Sequence, residues 1–279
     1  MAGQHANTDS ESGGPPLRVI VSGTGRMGRE VMAGVSRQED MTVVGVLEKF
    51  AEGDRIALPD GRDVPLSSDA EQLFGSVPAD ALVDFTFHEW TQQVAPLAVR
   101  AGVRPIIGTT GLPDAFVERL ARECAERKVG GIVAANFALG AVLLMHLCRV
   151  VAPFFDYAEV IELHHEAKVD APSGTAYATV REMLRARGDR PFTLPETTKI
   201  TLPGTRGGSE GGITVHSVRL QGLVAHQEVI FGALGQTLTL RHDTTSRESF
   251  IPGVLLAVRH LMARQELVIG LDRLMGLQP

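Results

Sequence analysis

The sequence predicts a two-part α/β chain: a parallel-sheet half, then an α+β half carrying a mixed or antiparallel sheet. Three observations predict it. Short apolar runs alternate with helical stretches up to about residue 137, and a glycine-spaced turn joins the first run to the first helix. After about residue 155 strand-like segments follow one another without intervening helices. The first pattern argues for parallel strands with right-handed crossovers, the last for antiparallel or mixed pairing.

In chain order, Leu17–Val21 is a short apolar run and is followed by Gly23-Thr24-Gly25-Arg26-Met27-Gly28. A helical stretch continues to about Arg37, and Thr42–Leu47 supplies a second strand. Further strands are expected at Ala81–Phe85, Pro105–Ile107 and Gly131–Ala134, separated by helical stretches near 89–101 and 113–127. In the second half, Tyr157–Leu163 alternates like a strand, and strands are expected at Val160–His164, Ile213–Leu220, His226–Phe231 and Thr237–Arg241, with a helix over Ser173–Arg187. Residues 203–212 are too glycine-rich for regular structure and read as a mobile loop or a plain connector. Ser246–Arg264 returns to helical periodicity. The expected division is a leader over 1–16, a first domain of 17–137 completed by 247–279, and a second domain of 138–246.

Bulk composition narrows the function classes. A chain of 279 residues, 44% apolar and 22% charged, has the core and the surface of an ordinary soluble globular enzyme. A net charge of -6 gives no support to nucleic-acid or anionic-membrane binding, so an anionic substrate needs a local basic pocket. Two cysteines, Cys124 and Cys148, do not make a disulfide framework. The first sixteen residues lack the apolar core of a secretory signal and read as a disordered leader, which makes the cytoplasm the expected location.

Gly23-x-Gly25-x-x-Gly28 gains meaning from its place between a strand and a helix. Gly23 permits the tight turn, Gly25 the approach of a pyrophosphate, and Gly28 the packing of helix on strand. Glu48, twenty residues past Gly28, suits an adenosine ribose, and the adjacent Lys49 suits a 2′-phosphate. NADH, NADPH or both are therefore the expected cofactors. Arg26 either reaches the pyrophosphate or is a solvated first-turn arginine. Gly108-Thr109-Thr110-Gly111, Ala134-Ala135-Asn136-Phe137 and Asp84-Phe85-Thr86 fall at strand C-termini, where a doubly wound sheet keeps its ligands.

The run His164-His165-Glu166-Ala167-Lys168-Val169-Asp170-Ala171-Pro172-Ser173-Gly174-Thr175-Ala176 follows a strand and enters a helix. Ser173 is placed as an N-cap, leaving the N–H groups of Gly174, Thr175 and Ala176 as an anion seat. Two imidazoles, a lysine and an anion seat make a candidate catalytic site. A hydrogen-bonded surface His pair and a solvated lysine are the bland alternative. No His, Cys and carboxylate cluster at ligand spacing points to a metal.

Together these motifs make the chain resemble the dihydrodipicolinate reductases, also called 4-hydroxy-tetrahydrodipicolinate reductases, of lysine and diaminopimelate biosynthesis. The resemblance is carried by Gly25–Gly28, Asp84–Thr86, Gly108–Gly111, Ala135–Phe137 and above all the His164–Ala176 run. His216–Arg219, Gly222-x-x-x-His226 and Ser246-Arg247 continue it, over nearly everything from Leu17 to about Leu261. It implies a Rossmann domain, an inserted α+β domain whose sheets associate in a homotetramer, and hydride transfer from NADH or NADPH to a cyclic unsaturated dicarboxylate. It implies His164 as acid/base and Lys168 as proton donor, with His165, Gly174 and Thr175 on a substrate carboxylate. Gly108, Thr109, Thr110 and Ala134, Ala135, Asn136, Phe137 are then implied at the nicotinamide end. Two departures are visible: Glu166 and Ala167 replace residues that are often polar or basic, and Ala138 replaces a serine. Glu166 is expected to face away from the anion site. The competing readings are another two-domain amino-acid dehydrogenase, which the His-His-x-x-Lys stretch opposes, and a catalytically inactive NAD(P)-sensing protein, which retention of His164 and Lys168 opposes.

Overall fold

A computed structural model describes residues 14–188 and 190–277, so most of the expected leader lies outside the described residues. The chain packs as two compact units. One runs to Gly131 and takes in Met262–Glu266; the other comprises Ile132–Leu261 and the chain from Leu267 on.

The first unit runs β1 (Leu17–Ser22), α1 (Arg26–Ser36), β2 (Met41–Leu47), β3 (Arg55–Ala57), β4 (Asp63–Ser67), α2 (Ala70–Ser76), β5 (Ala81–Asp84), α3 (His88–Arg100), β6 (Arg104–Ile107) and α4 (Asp114–Arg127). Its strands lie in the order β6-β5-β1-β2-β4-β3, all parallel except β3, which pairs antiparallel with β4. Val19, Ile20 and Val21 are buried, as strands in the middle of a parallel sheet require. Val31, Met32 and Val35 give α1 its buried face. Strand order reverses between β1 and β5, so the loops after these two strands form the crevice of a doubly wound sheet. They abut closely: a Cβ on Gly23 would lie 2.8 Å from Thr86 Cγ2.

The β3–β4 hairpin and α2 are additions to the sequence expectation. Both strands are short, three and five residues, and β4 carries a proline, so they fall below the length at which alternation is legible. The Pro59-Asp60-Gly61 turn, with Gly61 at φ +84°, was the available signal.

The chain passes to the second unit at β7 (Gly131–Val133). There follow α5 (Leu139–Val151), β8 (Tyr157–His164), α6 (Gly174–Arg187), β9 (Gly208–Glu210), β10 (Ile213–Arg219), β11 (Ala225–Ala233), β12 (Gln236–Thr244), α7 (Ile251–Leu261), β13 (Leu267–Ile269) and α8 (Leu271–Leu274). The five-stranded sheet β12-β11-β8-β10-β9 is mixed: β10 runs parallel to β8, and the other neighbours are antiparallel. Alternation along β8 buries Ala158, Val160 and Glu162. Val160, Val229 and Phe231 pack beneath Val180 and Met183 of α6 and Leu144 and Cys148 of α5. Both cysteines are free and buried in helices, and burial pushes each thiol up to about 12.

Two expectations need correction. The 203–212 stretch is not without regular structure: β9 forms inside it because the edge of β10 offers a pairing partner. Its glycines are concentrated in turns, with Gly211 and Gly212 at φ +57° and +84° between β9 and β10. The helix expected over 246–264 is a 3₁₀ turn at Arg247–Phe250 followed by the shorter α7.

Candidate active site

In the first unit the glycine turn adopts the geometry its spacing implies. Gly23 has φ +96°, and a Cβ on Gly28 would collide with the Gly23 carbonyl, so both positions demand glycine. Gly25 is open to solvent and caps α1 with no side chain, leaving the first-turn N–H groups, beside Arg26 and Met27, for an anion. Glu48 accepts hydrogen bonds from the Thr24 N–H at 2.9 Å and the Thr24 hydroxyl at 2.8 Å. Burial pushes its pKa up, but these bonds, with those from the Phe50 and Lys49 N–H groups, outweigh it and hold the carboxyl below the usual range. The Lys49 ammonium lies 4.9 Å from the centre of the Phe87 ring and 5.5 Å from that of Phe50. An anion-binding helix end beside an ionised carboxylate and a cation is the donor set a dinucleotide needs.

Behind that crest lies Asp84, fully buried at the end of β5. It accepts from the hydroxyls of Thr86 at 2.7 Å and Thr109 at 3.3 Å, and from that of Thr91. Burial raises its pKa against those hydroxyls and that of Ser22. Thr109 also accepts from the Thr86 N–H at 3.0 Å, which joins the loops after β5 and β6. Gly108 is compelled by the Phe85 ring, into which a Cβ would run, while Thr110 is exposed.

In the second unit His164 ends β8 with its Nδ1 2.5 Å from Glu162 Oε2. Glu162 is fully buried and receives Arg219 in bidentate fashion, at 2.9 and 2.8 Å, and the Ser173 N–H at 3.2 Å. Burial pushes the Glu162 carboxyl up, but Arg219, Ser217 and His164 together hold it below the usual range. Burial depresses the His164 imidazole; Glu162 opposes this, and the charges of Lys168 and Arg219 add to it. The ring is thus neutral near pH 7. Ser173 is the N-cap of α6, as expected, and its hydroxyl accepts from the Ala176 N–H at 3.2 Å. That bond occupies one of the three expected anion donors and leaves Gly174 and Thr175.

A cavity of about 200 Å³ is lined by His164, Ser173, Thr175, His242, Ala135 and Asn136, among others. A second, of about 160 Å³, adjoins Gly174, Thr175 and Ala134–Asn136. The second unit therefore gathers His164, Gly174, Thr175 and the 134–136 loop around shared space. Phe137 is buried, and its carbonyl packs so tightly on α7 that a Cβ on Gly253 would strike it. Lys168 binds Asp170 at 2.6 Å, near enough to His164 for its charge to be felt there. His165 and Glu166 are exposed. Among the described residues no group of three His, Cys, Asp or Glu is placed to hold a metal ion, and no helix is long and apolar enough to cross a membrane.

Sequence reasoning assigned no role to Glu162, Arg219 or His242. For Glu162 a signal existed: it occupies an inward position in an alternating strand, where a charge demands a partner. Arg219 lies 57 residues away in sequence and becomes its partner only through β8–β10 pairing.

Comparison with known proteins agrees with this geometry. Residues 17–137 match the family model for the dihydrodipicolinate reductase N-terminus, and residues 140–275 that for its C-terminus. The 4-hydroxy-tetrahydrodipicolinate reductases of Moorella thermoacetica and Geobacillus thermodenitrificans are each 45% identical over 263 residues, covering 93% of this chain and 98% and 99% of theirs. A dipicolinate-bound dihydrodipicolinate reductase from Paenisporosarcina sp. TG-14 superimposes with TM-score 0.84 at 40% identity, covering 92% of this chain and 99% of that one. An amine dehydrogenase from Mycobacterium smegmatis, at 13% identity and TM-score 0.64, shares the fold.

Proposed function

The chain belongs to the dihydrodipicolinate reductase family, and from that premise we propose that it is a 4-hydroxy-tetrahydrodipicolinate reductase. It reduces 4-hydroxy-tetrahydrodipicolinate, or the dehydrated dihydrodipicolinate, to tetrahydrodipicolinate in lysine and diaminopimelate biosynthesis, using NADH or NADPH. One observation carries the reading: an imidazole anchored on a buried carboxylate lines the same cavity as Thr175, in the first turn of the capped helix α6.

Roles divide along the chain. Residues 17–137 with 247–279 serve the cofactor, and 138–246 serve substrate and oligomerisation. Gly23, Gly25, Arg26, Met27 and Gly28 receive the pyrophosphate, and Glu48 and Lys49 share the adenosine ribose. Gly108, Thr109, Thr110 and Ala134–Phe137 flank the nicotinamide, which supplies the hydride when bound. The Gly174 and Thr175 N–H groups, with His165, hold a substrate carboxylate. Lys168 exchanges Asp170 for the substrate and donates the proton that follows reduction. His164 Nε2 accepts or returns a proton beside it.

The face of the five-stranded sheet opposite α5 and α6 carries Tyr157, Ile161, Leu163 and Ile230 partly open, and homotetramer formation covers it. Sedimentation as a tetramer is the expected outcome; a monomer at assay concentration would remove that assignment. We place the enzyme in the cytoplasm.

The test is oxidation of NADH and NADPH with substrate made in situ from pyruvate and aspartate semialdehyde by the preceding synthase. Substrate-dependent oxidation is expected. Cofactor binding without it would overturn the reading. The ratio of kcat/KM for the two cofactors, compared with that of Lys49→Ala, reports how Glu48 and Lys49 divide the ribose.

A further inference from the structure

Three parts of the second unit converge on one side chain. Glu162 Oε2 receives His164 Nδ1 at 2.5 Å and an Arg219 nitrogen at 2.9 Å. Its Oε1 receives the other Arg219 nitrogen at 2.8 Å and the Ser173 N–H at 3.2 Å. Arg219 also donates to the Asp170 carbonyl at 2.6 Å. The end of β8, the end of β10 and the 170–173 segment that opens α6 are thereby tied to a carboxylate with no exposed surface.

We propose that Glu162 is the positioning residue of this site: it fixes His164 as the Nδ1–H tautomer, makes Nε2 the working nitrogen, and registers that ring against the α6 anion seat. The proposal deepens the reductase reading and rests on it for the meaning of "working". An ionised carboxylate only accepts hydrogen bonds, so the atom facing it must carry a proton. Neutral His164 then has its lone pair on Nε2, the nitrogen left for the cavity that the ring lines with Thr175. Arg219 has a second effect. Burial is what keeps the imidazole below the ordinary histidine range, and the Arg219 charge adds to it against the pull of Glu162, so the carboxylate orients the ring without holding it protonated. The same carboxylate grips the Ser173 N–H, so the distance from Nε2 to the Gly174 and Thr175 donors is set by one group.

Two measurements test this. In the wild-type protein labelled with ¹⁵N-histidine and held above the imidazole's titration range, His164 is assigned by its loss in His164→Asn. A protonated Nδ1 with an unprotonated Nε2 is expected; the reverse tautomer would overturn the proposal whether or not the protein is active. In Glu162→Gln, kcat should fall by at least about 10-fold, up to the roughly 10²–10⁴-fold that a positioned acid–base group contributes. KM for the reduced cofactor should not move, and the pH–rate limb belonging to His164 should shift. A folded Glu162→Gln enzyme with wild-type kcat and an unmoved limb would overturn the proposal. If the variant does not fold, the wild-type tautomer decides. Absence of reductase activity in the wild type would sink the functional reading alone, because the tautomer measurement stands apart from turnover.

Discussion

Asp84 and Glu162 are both fully buried carboxylates near the C-terminal end of a strand, and their surroundings drive them in opposite directions. Asp84 receives side-chain hydrogen bonds from hydroxyls, and burial raises its pKa. Glu162 receives a guanidinium, an imidazole N–H and a backbone N–H, and its pKa falls. Burial alone therefore does not decide charge; the nature of the donors does. A hydroxyl turns to suit either a carboxylate or a neutral group, whereas Arg219 demands an anion. The first carboxylate is a joint between loops that tolerates neutrality, and the second must stay ionised.

The sharpest way to break this contrast is Glu162→Ala. It leaves Arg219, a fifth exposed, without its carboxylate and the Ser173 N–H without its acceptor, and the lost charged hydrogen bonds should cost about 2–3 kcal/mol. Urea unfolding should show it, and a loss under ~1 kcal/mol would remove the distinction between the two sites. Lys168→Ala comes next, with kcat reduced by about 10²-fold or more, the usual scale of general acid–base catalysis. Its cofactor affinity should be unchanged by fluorescence titration. Near-wild-type turnover would take the proton-donor role from this lysine.

A third prediction concerns pH. The Glu162 pKa is lowered on folding, so its stabilisation is present above the ordinary glutamate value and is lost as pH falls through the folded value. Asp84 is raised, so its contribution is fullest below the ordinary aspartate value and is lost as pH rises through the folded value. Unfolding free energies across the carboxylate range should decline less steeply on the acid side in Glu162→Gln and more steeply in Asp84→Asn, against a wild-type decline to which Glu48 and Glu159 also contribute. Identical slopes in both variants would contradict the assignment. The smallest effect is Asp84→Asn at neutral pH: the threonine hydroxyls can rotate to accept from an amide, so its cost should be about 1 kcal/mol or less.

Most of the first unit was legible because its signals are local. Val19–Val21, the glycine turn and α1 are read within twenty residues; in the second unit the His164–Ala176 run, equally local, announced both a titratable pair and the α6 cap. The β3–β4 hairpin was not legible, since strands of three and five residues are too short to show a period. Nor was β9, whose glycines conceal an edge strand that exists only because β10 accepts it.

By itself the sequence determined the βαβ half, the glycine-shaped anion site, the positions of His164 and Lys168 and the start of α6, all through contacts a few residues long. Tertiary structure alone decided that Glu162 would be ionised, that Arg219 would be its partner, and that His164 would present Nε2. The reason is physical: the charge of a buried carboxylate is set by groups that approach it through space, and here the nearest cation is 57 residues away along the chain.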